Sequence, residues 1–227
     1  GTATHNGHTL DWNLDFEGDA PPLLFLPENL YAGPFPKAKS VISRPLLRSH
    51  GQFTVDGETH VIDDWHGSES HNWGSKHTDQ YAWGQVAGFD DAPDAFLECA
   101  TARVKVGPLQ TPWMTLLTLR LDGKEYRFNS IKQSVKAKGQ YEFFDWTLET
   151  GDEKTRIEVR IHAPAAYFTA LTYFNPPKGS KTCLNSKIAR CSVKVTEGGR
   201  VRELHSVHGA AFEILTDRKD HGVEVAV

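Results

Sequence analysis

Apolar and polar residues alternate along this chain in short runs, each closed by turn residues, and a period of two marks strands with one buried face. In "GQFTVDGETHVI" the pair Asp56-Gly57 separates two alternating arms, and in "TLLTLRLDGKEYRFNSI" the pair Asp122-Gly123 does the same. Asp-Gly takes the positive φ angles of a two-residue turn, so both segments predict β-hairpins. Further strand pairs are expected where "YEFFDWTLET" and "TRIEVRIHA" meet at Gly151-Asp152, and where "IARCSVKVTEGGRVRELHSV" turns at Gly198-Gly199. Helical periodicity is scarce, so the chain reads as an antiparallel β meander. Large residues fall on one face of several strands, as with Trp146 and Leu148 or Leu171 and Tyr173. A sandwich or a barrel would bury them equally well. Six Trp and twelve Phe tilt the choice towards a barrel whose interior needs large side chains or a ligand to fill it.

Two stretches break the alternation. Residues 21 to 47, "PPLLFLPENLYAGPFPKAKSVISRPLL", carry six prolines and many Leu and Phe residues, which suits an irregular loop laid over apolar surface better than a disordered linker. The stretch "NPPKGSKTCLNSK", Asn175 to Lys187, reads as a second long loop, polar and turn-rich.

Composition narrows the functions open to such a fold. With 227 residues and 39% hydrophobic content the chain can bury a sizeable core, and two units are expected. A net charge of -4 gives no basic field of the kind that follows phosphates, so nucleic acid is not an expected partner. No run nears the roughly 20 apolar residues of a spanning helix, and no charged-then-apolar leader opens the chain. Peripheral contact with a membrane remains compatible with that pattern. The chain starts at Gly1 with strand-like sequence, so an N-terminal portion is expected to be lacking. Cys99, Cys183 and Cys191 are odd in number and show no C-x-x-C spacing, which argues against a disulfide scaffold or a thiolate metal site. Cys183 and Cys191 could face each other across a hairpin, but buried reduced thiols are preferred, and with them a cytoplasmic setting.

The densest mixture of polar and aromatic residues is "DDWHGSESHNWGSKHTDQYAWGQ", from Asp63 to Gln85. Imidazole, carboxylate and indole side chains together can move a proton while a ring face steadies a cationic or polyene ligand. His66, His71 and His77 lack the i, i+4 spacing of a helical zinc pair and have no Cys partner, so no metal is expected. No cofactor is expected either. A purely structural role stays open, in which His71 and Trp73 point inward and hydrogen-bond to backbone or to Asp79.

The same segment carries a resemblance. "GETHVIDDWHGSESH" followed by "HNWGSKHTDQYAWGQVAGF" resembles the central segment of the tocopherol cyclase, carotenoid hydratase (hydroxyneurosporene synthase) and AttH-like family, in which an H-x-W element and an aromatic Y-x-W strand link two lipocalin-like barrels. Here these are His71-Asn72-Trp73-Gly74 and Tyr81-Ala82-Trp83. The resemblance implies an all-β fold of lipocalin-like (calycin) antiparallel barrels. Residues 1–68 would be the C-terminal part of a first, incomplete barrel, and 69–227 a second. It also implies acid-assisted hydration or ring closure of an apolar, isoprenoid-like molecule in a barrel cavity. In the hydratases the His and Trp act with an acid that follows a Tyr by two residues. Here Phe96-Leu97-Glu98 stands in that place, with Phe for Tyr and Glu for Asp.

Protonating an alkene needs an acid that is neutral near pH 7, and burial against apolar walls raises a carboxyl's pKa in that direction. The candidate catalytic residues are therefore His71, Glu98 and Asp79, and the candidate ligand-binding residues are Trp73, Tyr81, Trp83, Phe96 and Trp65. An outward Glu98 paired with Arg103 or a lysine is the plain alternative for that acid. Two other functions compete with the enzyme: a carrier that shields an apolar metabolite, and a structural barrel filled by its own side chains.

Overall fold

The structure is a computed structural model that describes residues 1–106, 108–174 and 179–226. It is a lipocalin-like all-β architecture made of a half-barrel sheet and a larger antiparallel sheet. The first sheet holds β1 (Thr2–His5), β2 (His8–Glu17), β3 (Leu23–Leu24), β4 (Ala38–Val55) and β5 (Glu58–Gly74), with a one-turn helix α1 (Asn29–Ala32) between β3 and β4. The second begins with β6 (Gln80–Phe89) and β7 (Ala92–Arg103). After a short ribbon of β8 (Lys105–Val106) and β9 (Leu109–Gln110) come β10 (Met114–Leu121), β11 (Lys124–Phe128) and the helix α2 (Ile131–Lys136). It is completed by β12 (Lys138–Glu142), β13 (Asp145–Gly151), β14 (Thr155–His162), β15 (Thr169–Phe174), β16 (Ser180–Glu197) and β17 (Arg200–Thr216).

The hairpin chemistry expected at the Asp-Gly pairs is present. Asp56 and Gly57 take φ of 51° and 88° between β4 and β5, and Asp122 and Gly123 take 51° and 74° between β10 and β11. Gly198 and Gly199 likewise turn β16 into β17. In the larger sheet the order is β11, β10, β7, β6, β17, β16, β14, β13, β12, so the meander rolls up and closes where β17 pairs with β6. The order ends at β11 and β12, which do not pair with each other among the described residues, and the seam between them is spanned where β12 meets β10. Gly139 on β12 makes the seam tight: a Cβ there would collide with the hydroxyls of Thr101 on β7 and Thr115 on β10.

The interior of this second barrel is packed by its own side chains. Trp146, Phe212, Leu97, Leu117, Leu119, Ile157, Ile161 and Ile214 are each at most 1% exposed and belong to one cluster. The indole of Trp146 stays in that core because its N–H donates to Thr101 Oγ1 at 3.1 Å, and Thr101 and Thr115 share a hydrogen bond at 2.9 Å. The expectation of a ligand in an open lumen is therefore corrected for this barrel: the large residues that suggested a hollow fill it themselves.

Two expected loops are also corrected. Of residues 21 to 47, only the part before Ala38 is irregular, because β4 opens there and tolerates Pro45 at a register shift between Arg44 and Leu47. Of the stretch from Asn175 to Lys187, residues 175–178 lie outside the described residues, whereas Ser180 to Lys187 belong to β16. That strand is held between β15 and β17 and buries Cys183 and Leu184, which overrides its polar composition. Cys183 and Cys191 lie on this one strand, not across a hairpin, and all three cysteines are buried and unbridged. Among the described residues no helix is long and apolar enough to cross a membrane.

Candidate acid site between the sheets

The first sheet packs against β6 and β7 of the second, and on β7 every residue from Ala95 to Thr101 is buried. Its odd positions, Leu97, Cys99 and Thr101, face the filled barrel, while Phe96, Glu98 and Ala100 face outward. The outward face is covered by the segment 21–33, here called the strap. Leu23, Phe25 and Ile42 of the first sheet pack with Phe96 and Ala100, flanked by Leu46, Trp83, Ala87 and Leu116. This is the covering role expected for the proline-rich stretch.

Polar bonds tie the strap down. Arg120 donates to the carbonyls of Pro21 at 2.5 Å and Pro22 at 2.9 Å, and Asn129 Nδ2 donates to the Phe25 carbonyl at 3.1 Å. On α1, the Tyr31 hydroxyl donates to the Ser40 carbonyl at 2.6 Å and accepts the Leu26 N–H at 3.2 Å. Burial raises the pKa of Tyr31.

Beneath the strap lies Glu98, 1% exposed. The register of β6 against β7 sets Gln85 opposite Glu98 and Trp83 opposite Ala100, so these side chains share one face. Trp83 Nε1 donates to Glu98 Oε1 at 3.0 Å and Gln85 Nε2 donates to Oε2 at 2.6 Å. Gln85 is held in turn by the Ser68 hydroxyl of β5, which donates to its Oε1 at 2.5 Å. Desolvation raises the Glu98 pKa to about 7, more than the two donors lower it, and the nearby Glu213 adds to the rise. Glu98 thus neither points to solvent nor pairs with Arg103, whose Nε donates to Gln80 Oε1 at 2.6 Å.

The other expected residues are distributed around this acid. Trp83 touches it, and Phe96 forms its apolar wall. His71 and Trp73 lie on the exposed end of β5, stacked at 5.4 Å, and Trp73 leans on Tyr31 of the strap at 6.0 Å. Neither makes a hydrogen bond to Glu98 among the described residues. Tyr81 is two residues before Trp83 on the same face, its hydroxyl donating to Glu213 Oε2 at 3.3 Å; burial holds its pKa well up. Asp79 is elsewhere, six residues before Gln85, or about 20 Å along an extended strand. It accepts from Lys76 Nζ at 2.9 Å and the Lys105 N–H at 2.7 Å. Burial alone would raise its pKa, but these partners hold it below the usual range, so Asp79 anchors the approach to β6 as a carboxylate. Trp65 is 52% exposed on the first sheet beside Phe53, at 6.1 Å.

Sequence reasoning missed Gln85, Ser68, Tyr31, Thr118, Glu213 and Lys187. Glu213 gathers the Asn185 amide at 2.7 Å and Lys187 Nζ at 3.1 Å, and that ammonium lies 5.5 Å from the centre of the Trp83 ring. Gln85 could have been found from the period-two run Tyr81, Trp83, Gln85. Ser68 and Tyr31 lie inside segments the sequence marks, without a sign of their partners, and Thr118, Glu213 and Lys187 come from distant strands and left no local signal.

The first sheet has a second notable face. Leu10, Trp12 and Phe16 of β2, Val55 of β4 and Trp65 of β5 are between 38% and 52% exposed. A surface groove of about 770 Å³ across β13, β14 and β16 has a mixed lining that runs from Trp113 past Glu149, Arg160 and Lys194.

With this geometry in hand, comparison with known proteins is informative about the fold. No protein-family model matches the chain. Two uncharacterized proteins of Mycobacterium tuberculosis, from strains CDC 1551 and H37Rv, are each 25% identical over 198 residues, covering 87% of this chain and 58% of the relative. The chain therefore spans little more than half the length of the curated relatives it matches. Among solved structures, kievitone hydratase from Nectria haematococca superposes with a TM-score of 0.52 at 12% identity, over 94% of this chain and 63% of that one. A protein provisionally designated AttH, from Nitrosomonas europaea, follows at 0.47 and 14%, too distant to argue from. At 12% identity the likeness to the hydratase shows a shared lipocalin-like architecture and nothing of its substrate.

Proposed function

We propose that this chain carries the acid site of a hydratase or cyclase that acts on an apolar, isoprenoid-like molecule held between the two sheets. The observation that supports this most is Glu98, a buried carboxyl whose pKa is raised to about 7, so that a large fraction stays protonated near neutral pH, set among Phe96, Trp83, Leu23 and Phe25. A neutral acid in an apolar wall can give its proton to an alkene carbon, and the Trp83 ring face can steady the cation that forms. Gln85 and Trp83 then stabilise the carboxylate left behind, because both present N–H groups to it. In this reading His71 and Trp73 act from the outer end of the site through Tyr31, and Asp79 supports β6. The shared architecture with a hydratase agrees with it.

A binding-only reading, in which the chain shields an apolar metabolite, draws on a different observation, the open apolar face of Leu10, Trp12, Phe16 and Trp65. The two are separated by replacing Glu98 and His71 singly with Gln in the full-length protein and supplying isoprenoid alkenes. The enzyme reading expects Glu98→Gln to abolish water addition or ring closure, and the wild-type rate to fall as pH rises through about 7. Unchanged turnover in both variants rules out the roles given to Glu98 and His71, whereas binding without any product in the wild type supports the carrier and ends the enzyme reading.

A further inference from the structure

Opposite Glu98 on its other side stands Thr118 of β10, its direct partner in the β7 to β10 ladder. Thr118 is 0% exposed, and its hydroxyl is the buried side-chain polar atom that finds no hydrogen-bond partner among the described residues. A buried hydroxyl without a partner costs about 1–3 kcal/mol, so such an atom marks a place where a polar molecule is taken up. The acid shows the complementary need. Trp83 and Gln85 both turn N–H groups to it, so they suit the carboxylate, whereas the Gln85 amide oxygen that would accept the O–H of the neutral acid is taken by the Ser68 hydroxyl. Side chains directly opposite in an antiparallel pair have Cβ atoms about 5 Å apart, which suits bridging by a small polar molecule.

We propose that Thr118 Oγ1 and the Glu98 carboxyl together hold a water molecule between β10 and β7, and that this is the water added in the reaction proposed above. Resting on that reading, the step balances. The Glu98 proton forms the new C–H bond and the alkene π pair is consumed; the water oxygen bonds to the resulting cation, and the proton it sheds returns to the Glu98 carboxylate. Thr118 is a positioning residue, and it places proton donor and nucleophile on the same face of the alkene, which makes the addition syn.

The other groups that bear on Glu98 are Glu213 of β17, which raises its pKa, and Tyr31 of α1, whose own titration feels both Glu98 and Arg127 of β11. Replacing Thr118 alters none of them. Thr118→Val keeps the shape and removes the hydroxyl, while Thr118→Ser keeps the hydroxyl. Two readouts need no substrate: the number of long-lived internal waters from oxygen-17 relaxation dispersion, and the Glu98 carboxyl titration from infrared difference spectra against Glu98→Gln. Thr118→Val is expected to lose one such water and to raise the Glu98 midpoint by about one unit, through lost solvation of the carboxylate. Thr118→Ser is expected to match the wild type. Should the valine variant not fold, Thr118→Cys, a weak hydrogen-bonding group of similar size, is expected to raise the midpoint in the same direction. An unchanged midpoint and water count in Thr118→Val, or in Thr118→Cys in its place, overturns the water site. A wild-type Glu98 that titrates in the ordinary carboxylate range instead overturns the acid reading, so the two failures are distinct.

Discussion

The two faces of β7 bury one strand in different company. Towards the barrel, Leu97 and Cys99 meet Leu117, Trp146 and Ile161, and the polar atoms there, Thr101, Thr115 and the Trp146 N–H, satisfy one another. Towards the strap, Phe96 and Ala100 meet Leu23 and Phe25, but between them sit an acid and a hydroxyl whose needs are only partly met. Burial is equal on the two sides, so burial does not distinguish a core from a site. What differs is the polar accounting: the barrel face is closed, whereas the strap face retains a shifted carboxyl and an unpartnered Thr118.

The largest expected effect lies on the closed face. Phe212→Ala, at a side chain 0% exposed and packed on Trp146 and Phe168, should destabilise the protein by ~3–5 kcal/mol in urea unfolding. It should leave the Glu98 titration where it was. A shift of that midpoint would show that the two faces are not independent.

On the strap face the sign is reversed. Glu98 binds its proton more tightly folded than unfolded, so between about pH 4.5 and pH 7 the native state holds more protons and stability falls as pH rises. Glu98→Gln removes that cost while allowing the bonds from Trp83 and Gln85 to rearrange. The variant should be more stable than the wild type by up to ~3 kcal/mol at pH 8, with the gap closing below pH 4. A variant less stable than the wild type at pH 8 would place a net favourable charge at Glu98 and contradict its description.

Smaller effects test the cover. Tyr31→Phe strands the Ser40 carbonyl and the Leu26 N–H, and should cost ~1–2 kcal/mol and speed hydrogen exchange at Leu26 ahead of the β7 amides. Asp79→Asn should cost at most ~1 kcal/mol at pH 7. Asp79's folded pKa is depressed, so its contribution is present above the unfolded pKa and disappears as pH falls through the folded one. Protein stability curves for Asp79→Asn and wild type should therefore converge in acid.

Legibility in the sequence followed the range of the interactions. The Asp56-Gly57 and Asp122-Gly123 turns are local, and the chain states them outright. Glu98 stands out in the sequence through the family resemblance and its apolar flanks Phe96, Leu97 and Cys99, neither of which says which face it takes; the sheet pairing decides that. The packed lumen was misread because large residues that require space and large residues that fill it look alike in sequence. Ser180 to Lys187 looked like a loop because Asn, Ser and Lys dominate it, yet pairing on both edges makes it a strand. Thr118, Ser68 and Tyr31 were invisible for a simpler reason: their relation to Glu98 exists only after three strands and a strap are assembled.

The most direct test of the central claim is the infrared titration of the Glu98 carboxyl, read as the difference between wild type and Glu98→Gln from pH 4 to pH 9. The account predicts a protonated carboxyl through acid and a midpoint at about 7. A carboxylate already ionised at pH 5 would contradict it, and with it the acid site between the sheets.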